Sequence, residues 1–333
     1  MGEPRLLVVR LGSLGDIVHT FPAVAGLRDT FPAAQIIWLT HPRWELLIRS
    51  SGLASEVWAT ETRSLASIRG IVRRIRAARF TAAIDYQGLW KSAGLPLVAG
   101  VGRRIGFSSA TIREFGVPIL YTDRVRCVTT HIADQNGELS LRVGARSGVG
   151  SFALQIPAEA ANSVQAYLRE QRLERYIVLS PGGGWRSKCW PAERFGALAQ
   201  RIHDALGLRC VVNYGPGEED LAQALRAAAG DVSPLLYNGD LGQLMAILKN
   251  SSCTVGGDTG PLHLGIALGT PAVAIFGPTD PARNGPYRSQ DIVLRAEGAA
   301  RDHSRRNETD PSMLAIEVDA VFEAVRRRIG AAR

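Results

Sequence analysis

The sequence predicts an α/β protein built from two doubly wound parallel-sheet domains. Short apolar strands alternate with amphipathic helices along the chain, and the alternation starts again after a glycine-containing stretch near 148–151. Strands that alternate with helices of about 10 to 15 residues form right-handed parallel units. A chain of 333 residues is also long enough for two domains.

The first half shows this alternation from its start. Strands are predicted at 5–10, 35–39, 56–59, 81–85 and 103–107. The turn LGSLGD at 11–16 opens a helix that is predicted to run to about residue 30. Further helices are predicted near 44–50, through the arginine-rich segment 64–79, from 89 onward, and at 131–143. Together they predict an N-terminal domain over 1–155.

The second half repeats the pattern beyond a linker near 148–160. Strands are predicted at 176–180, 208–213 and 234–237, then at the start of 251–269, with a last strand at 271–276. Helices are predicted at 191–206, 218–229, 240–250 and 313–328. We therefore expect a second domain over 156–312. A C-terminal helical segment follows over 313–333, for which packing back on the N-terminal domain is one option.

Composition argues against a membrane-spanning protein and against one stabilised by zinc or disulfides. The sequence has no apolar run of about 20 residues that could span a bilayer, and its beginning does not resemble a signal peptide. Its four cysteines are scattered and form no CxxC pair, which argues against zinc and against a disulfide framework. We expect a cytoplasmic protein without a transmembrane segment.

The net charge of +8 is concentrated in one segment. Residues 60–115 contain ten basic and three acidic residues, which favours an anionic partner such as a phosphorylated or carboxylated substrate, a membrane surface or nucleic acid. The alternative is a solvated helix face, because Leu65, Ile68, Val72 and Ile75 share one side of the arginine-rich helix. This helix lacks interleaved aromatic residues, which argues against nucleic acid.

Several loops lie where parallel strands end, the edge at which such sheets bind ligands. The segment 251–269 reads as strand, glycine turn and helix, with Asp258 before the helix. Such a turn suits an anion, although Asp258 could simply cap the helix. The loop SPGGGWRSKCWP at 180–191 adds three glycines and Lys188. Asp16 could serve as a general base or only as a helix-start carboxylate.

Other nucleotide-binding patterns are missing. The first loop is not GxGxxG, and the sequence contains neither a Walker A loop nor a DxD pair. A departing diphosphate would therefore need side-chain cations and helix ends. The turn YGPGEE at 214–219 offers a carboxylate that could bind ribose hydroxyls or simply begin a helix.

Four segments, in this order along the chain, resemble one known family. They are VVRLGSLGDIVHTFPA at the start, IDYQGLWKSA at 84–93, the loop at 180–191, and GGDTGPLHLGIALGTPAVAIFGPTDPARNGPY at 256–287. The chain resembles glycosyltransferase family 9, the ADP-heptose:lipopolysaccharide heptosyltransferases, and within it the heptosyltransferase I group. The likeness covers nearly the whole chain.

The resemblance implies a GT-B fold, in which two Rossmann-like domains face a central cleft. It also implies inverting, metal-independent transfer of heptose from ADP-heptose to the Kdo of a lipid A-linked inner core, at the cytoplasmic face of the inner membrane. Asp16 matches the catalytic base. The donor-binding matches are Gly183, Gly184, Lys188, Glu219, Asp258, Thr259, Gly260 and His263. The acceptor-binding matches are Arg63, Lys91 and Arg113.

Two departures stand out. Gly182–Gly184 replace threonines that heptosyltransferase I enzymes often carry, and the arginine-rich helix aligns poorly. The alternatives are another nucleotide-sugar enzyme on this fold, such as an epimerase, and a non-catalytic protein that binds anionic surfaces.

Overall fold

A computed structural model describes residues 3–109, 114–287, 290–302 and 308–331. The chain divides into two compact units, Met1–Gln155 and Ile156–Arg333. Each unit contains a six-stranded sheet whose strands all pair in parallel.

The first unit follows the predicted alternation and adds one strand to it. Its strands are β1 (Arg5–Val9), β2 (Gln35–Thr40), β3 (Glu56–Ala59), β4 (Ala82–Asp85), β5 (Arg104–Phe107) and β6 (Asp123–Val125). Its helices are α1 (Leu14–Val18), α2 (Phe21–Thr30), α3 (Glu45–Ser50), α4 (Leu65–Ala78), α5 (Trp90–Val98) and α6 (Ile132–Val143). The sheet order is β3-β2-β1-β4-β5-β6.

Alternating side chains of this sheet face opposite layers of helices. Leu7 and Val9 of β1 share a core with Ile71 and Ile75 of α4. On the other face, Phe21 of α2 meets the Trp38 ring edge-on at 5.7 Å. The sheet is therefore buried on both faces, as a parallel sheet requires.

The second unit has the same topology. Its strands are β7 (Tyr176–Ser180), β8 (Arg209–Asn213), β9 (Leu235–Tyr237), β10 (Cys253–Gly257), β11 (Ala272–Phe276) and β12 (Ile292–Arg295), in the order β12-β11-β10-β7-β8-β9. Its helices are α7 (Ala158–Glu170), α8 (Ala192–Leu206), α9 (Glu219–Ala228), α10 (Leu241–Lys249), α11 (Gly260–Ala267), α12 (Pro281–Asn284), α13 (Pro311–Leu314) and α14 (Val318–Gly330).

Three sequence-based boundaries were wrong. The first helix breaks into α1 and α2, because Pro22 lacks the N–H that a continuous helix would use. The strand at 271–276 is not the last, since β12 pairs with β11 beyond it. The C-terminal helix begins at Val318, after the separate short helix α13.

Helix α14 carries an apolar face. Val321, Phe322 and Val325 are buried in the core of the second unit, together with Ile177 of β7 and Val273 of β11. Arg328 further ties α14 to Asp291, with its Nε 2.9 Å from the carboxylate. The hydrophobic face of this helix is thus covered by its own unit.

Candidate active site

Both sheets reverse their strand order once, and the residues selected from the sequence follow the strands at those points. The order reverses between β1 and β4 in the first unit and between β7 and β10 in the second. Crevices that bind ligands form beyond the carboxyl ends of strands at such positions. Asp16 follows β1, Lys188 follows β7, and Asp258 follows β10.

Asp16 lies on the first turn of α1 and is held from two sides. Its Oδ2 accepts hydrogen bonds from the backbone N–H and the hydroxyl of Ser13, at 3.1 and 3.0 Å. Its Oδ1 lies 2.8 Å from Nη2 of Arg10. The Arg10 side chain is only 7% exposed, whereas that of Asp16 is 46% exposed. A carboxylate that is oriented by fixed donors and is partly exposed can accept a proton from a hydroxyl.

Arg10 also joins the two loops at the reversal point of the first sheet. Its Nη1 donates to the carbonyl of Tyr86, just after β4. The backbone N–H of Leu11 donates to Oε1 of Gln87 at 2.7 Å. The loop that carries Asp16 is therefore fixed to the loop after β4, which limits the movement of the carboxylate.

The loop after β4 is organised around a buried carboxylate, Asp85, which sequence reasoning did not select. Its oxygens accept from Tyr121 Oη at 2.7 Å, from Ser92 Oγ at 2.8 Å and from the N–H groups of Gln87 and Gly88. Burial raises the pKa of Asp85, while these donors oppose the rise. A Cβ at Gly106 would lie 2.3 Å from the Tyr121 ring, so this network needs glycine there.

Two of the three predicted acceptor residues lie in the part of the chain that the structure describes. Lys91 is exposed on the first turn of α5, and Arg63 is exposed between β3 and α4. Arg113 lies outside the described residues. Arg103 and Arg104, in the same basic segment, have structural partners: Arg103 contacts Asp123 and the carbonyl of Arg142, and Arg104 donates to nearby carbonyls.

The structure brings together three of the predicted donor residues in the second unit. The Lys188 ammonium donates to the backbone carbonyl of Asp258, lies 3.8 Å from its Oδ2 and stacks 4.3 Å above the Trp185 ring. His263 Nε2 lies 2.9 Å from Oδ1 of Asp258. The three side chains are 10%, 11% and 5% exposed. A cation is therefore fixed in a nearly dry setting.

Helix α11 begins beside this group. Thr259 is its N-cap residue and Gly260 its first residue, followed by Pro261. The first N–H groups of a helix lack partners within the helix, and the helix dipole makes this end positive. The end of β10 thus combines an ammonium group with a helix N-terminus, a pairing suited to a diphosphate.

Three buried hydroxyls add to this edge of the sheet. Ser180, Thr259 and Thr279 follow or end the neighbouring strands β7, β10 and β11. Within the described residues, their hydroxyl oxygens have no hydrogen-bond partner. These hydroxyls are able to bond to a polar group at this edge of the sheet. Ser180 and Thr279 were missed because an isolated hydroxyl in a sequence carries no such signal.

Comparison with known proteins decides the family. Residues 68–312 match Glycosyltransferase family 9 (heptosyltransferase), which is well over half of the chain. The chain belongs to this family. It is a glycosyltransferase, as the sequence predicted, and the alternative of a non-catalytic binding protein was wrong.

Individual relatives agree along nearly the whole chain. Lipopolysaccharide heptosyltransferase 1 of Escherichia coli O18:K1:H7 is 27% identical, over 88% of this chain and 92% of that protein. The glycosyl transferase family 9 structure from Veillonella parvula has a TM-score of 0.86 at 22% identity, covering 99% and 98% of the two chains. An E. coli heptosyltransferase solved with ADP has a TM-score of 0.77 at 25% identity, covering 97% and 99%. These likenesses confirm the predicted GT-B fold.

In this glycosyltransferase the glycine loop after β7 faces a carboxylate. A Cβ at Gly182 would lie 2.1 Å from Oε1 of Glu218, and Gly183 would meet the Cys189 sulfur at 2.8 Å. Gly184 has open space around it. The other oxygen of Glu218 accepts from the N–H of Gly215 at 2.8 Å. Glu219, the residue selected from the sequence, is exposed at the start of α9.

The described residues contain no group of three histidine, cysteine or acidic side chains placed to hold a metal ion, and metal independence stays a prediction. Over the same residues, none of the helices has the length and apolar character needed to traverse a bilayer.

Proposed function

We propose that this protein transfers heptose from ADP-heptose to the Kdo of the lipopolysaccharide inner core on a lipid A-linked acceptor, with inversion at the anomeric carbon and without a metal ion. The observation that carries the proposal is the nearly dry group of Lys188, Asp258 and His263 at the N-terminus of α11. It is supported by the relative called lipopolysaccharide heptosyltransferase 1 and by the related E. coli heptosyltransferase solved with ADP.

The donor half of the reaction uses the second unit. Lys188 and the N–H groups at the start of α11 bind the diphosphate and stabilise its added charge as the bond to the sugar breaks. Thr259 and Gly260 form the start of this helix. Asp258 orients Lys188, and His263 contacts the carboxylate of Asp258. Gly183 and Gly184 let the diphosphate approach the backbone. A carboxylate of the turn at 214–219 binds the ribose or adenine end, with Glu218, which lies against Gly182, contributing more than the exposed Glu219 chosen from the sequence.

The acceptor half uses the first unit. The acceptor hydroxyl oxygen forms the new bond to the anomeric carbon, and the electron pair of the old bond leaves with ADP. Asp16 takes the hydroxyl proton, which its orientation by Arg10 and Ser13 and its partial exposure allow. Attack opposite the leaving diphosphate inverts the anomeric configuration.

Basic residues of the first unit recognise the anionic acceptor. Arg63, Lys91 and Arg113 meet the Kdo carboxylates or lipid A phosphates, and the acceptor places the enzyme at the cytoplasmic face of the inner membrane. Nucleic acid is not a partner in this proposal. The concentration of ten basic against three acidic residues over 60–115 supports it.

The test supplies ADP-heptose with and without a Kdo-lipid A acceptor and analyses both products by mass. The expected result is ADP together with an acceptor heavier by one heptose. Conversion of the donor alone to an isomer would instead identify an epimerase. In parallel, ADP should raise the melting temperature more than UDP or GDP does, because a ligand that binds the native state stabilises it.

A further inference from the structure

Helix α5 of the first unit is apolar on its outer face as well as its inner one. Its sequence WKSAGLPLV contains only two polar residues. Ala93 and Leu95 are buried, yet Trp90, Leu97 and Val98 are exposed, Val98 by 61%. A helix that is hydrophobic all round is normally covered on all sides. The outer face of α5 is therefore suited to contact something other than water.

Two further exposed residues extend this face. Phe115 is 99% exposed and Ile119 is 71% exposed. Their segment is attached to α5, since the Glu114 carboxylate accepts a hydrogen bond from the backbone N–H of Trp90 at 2.8 Å, and Val117 shares a small core with Ala93. The Trp90 ring also lies against Gly116, where a Cβ would be 3.0 Å from it.

We call the set Trp90, Leu97, Val98, Phe115 and Ile119 the apolar face. All five lie on α5 or on the segment attached to it. Exposed apolar residues that are grouped in this way, rather than scattered, usually mark an interaction surface. A fully exposed phenylalanine contributes nothing to the core, so folding does not explain its presence.

A row of arginines runs beside the apolar face. Arg69, Arg73 and Arg76 are exposed and spaced four and three residues apart, so they share one side of α4. Nη2 of Arg76 donates to the carbonyl of Val98 at 2.8 Å, which joins this basic row directly to the end of the apolar face. Lys91 adds a further exposed cation on α5 itself.

We propose that the apolar face and its basic row dock on an anionic phospholipid bilayer. Aromatic and aliphatic side chains beside arginines match the interface of such a membrane, where rings enter the headgroup region and cations meet phosphates. Charge complementarity favours this occupant over a second copy of the chain, because two copies would bring like-charged rows together. This surface would hold the enzyme at the membrane named in the proposed function, and the proposal rests on that function.

The test measures co-sedimentation of the full chain with vesicles of phosphatidylethanolamine and phosphatidylglycerol, and with vesicles of phosphatidylcholine alone. The wild type should bind the anionic vesicles more tightly than the phosphatidylcholine vesicles. Its affinity for the anionic vesicles should fall as the salt concentration rises. Phe115→Ser with Ile119→Ser should weaken binding by about tenfold or more, because these side chains lose their burial in the interface. Both residues are exposed, so the variant should fold normally.

Matched controls separate this surface from general properties of the protein. Leu141→Ser with Leu314→Ser removes two exposed leucines elsewhere and should leave binding within about twofold. Arg69→Ser with Arg73→Ser should weaken binding to anionic vesicles, whereas Arg226→Ser with Arg327→Ser removes the same charge from exposed positions of the second unit and should have a smaller effect.

Three outcomes would overturn the proposal. They are absence of wild-type binding to anionic vesicles, equal binding by the Phe115/Ile119 variant, and a wild-type dimer that this variant dissociates while neither protein binds vesicles. The vesicles contain no sugar acceptor, so docking is measured independently of transfer. Transfer to a deacylated, water-soluble acceptor should proceed equally in the wild type and this variant, which keeps failure of docking distinguishable from failure of the proposed function.

Discussion

The two units have the same strand order but differ in how exposed their charged side chains are at the point where that order reverses. In the first unit a buried arginine supports a carboxylate that is nearly half exposed. In the second unit the lysine, the aspartate and the histidine are all about nine-tenths buried. One topology therefore supports a partly exposed carboxylate in the first unit and a buried group of lysine, aspartate and histidine in the second.

This difference follows from the two tasks in the proposed reaction. A general base must reach an acceptor hydroxyl and later lose its proton, so it benefits from access to solvent. A group that stabilises a departing diphosphate benefits from burial, because electrostatic interactions strengthen where water is excluded. The side chains at the strand ends, rather than the sheets, make the distinction.

The largest effect should come from Asp16→Asn, which keeps the shape of the side chain and removes its basicity. We expect kcat to fall by about 10²–10⁴-fold, while ADP affinity measured by calorimetry stays unchanged. Asp319→Asn is the matched control, because Asp319 is also an acidic residue on a first helical turn with an arginine near it. Near-normal turnover of Asp16→Asn would contradict the base assignment.

Lys188→Met should mainly weaken nucleotide binding. Loss of a buried cation next to the start of α11 should reduce ADP affinity by about 100-fold, as measured by calorimetry. Lys249→Met provides the control, since Lys249 also donates to a carbonyl, that of Leu268, but lies at the opposite end of β10. Equal ADP affinity in the wild type and Lys188→Met would show that Lys188 does not bind the diphosphate.

Tyr121→Phe tests the support beneath the first site. Removing a donor from the buried Asp85 should cost about 1–3 kcal/mol in the free energy of unfolding. Burial already raises the pKa of Asp85 and the Tyr121 hydrogen bond opposes this, so the variant should raise that pKa further. A raised folded-state pKa gives stability that is present at acid pH and lost as pH rises.

The cost of Tyr121→Phe should therefore be greater near neutral pH than in acid, as measured by urea unfolding across that range. Tyr176→Phe is the control, because its hydroxyl donates to the neutral carbonyl of Ile247 in a buried setting. Its cost should not vary with pH in this way. A pH-independent cost for Tyr121→Phe would mean that Asp85 does not titrate as described.

The smallest effect concerns the carboxylate beside the glycine loop. Glu218 lies against Gly182 and Gly215, whereas Glu219 is exposed. Glu218→Gln should lower ADP affinity by about five- to tenfold, and Glu219→Gln should change it less. The reverse order, measured by the same calorimetry, would favour the residue chosen from the sequence.

The fold was largely readable from the sequence, because hydrophobic periodicity reports local structure directly. The alternation of strands and helices, and its restart in the second half, predicted two doubly wound sheets. Weak local signals explain the errors. Strand β6 is only Asp123–Val125, and β12 (Ile292–Arg295) lies in a polar stretch, so both depend on pairing with a neighbouring strand.

The family and the residues worth naming around Asp16, Lys188 and Asp258 could be predicted from sequence, because these motifs are contiguous and keep their order. Only the tertiary structure showed that Arg10 bridges Asp16 and the Tyr86 carbonyl, and that Asp85 is bound by Tyr121. It also showed that Ser180, Thr259 and Thr279 lie at one sheet edge. Such contacts join residues far apart in the chain, and their energies depend on burial, which periodicity does not encode.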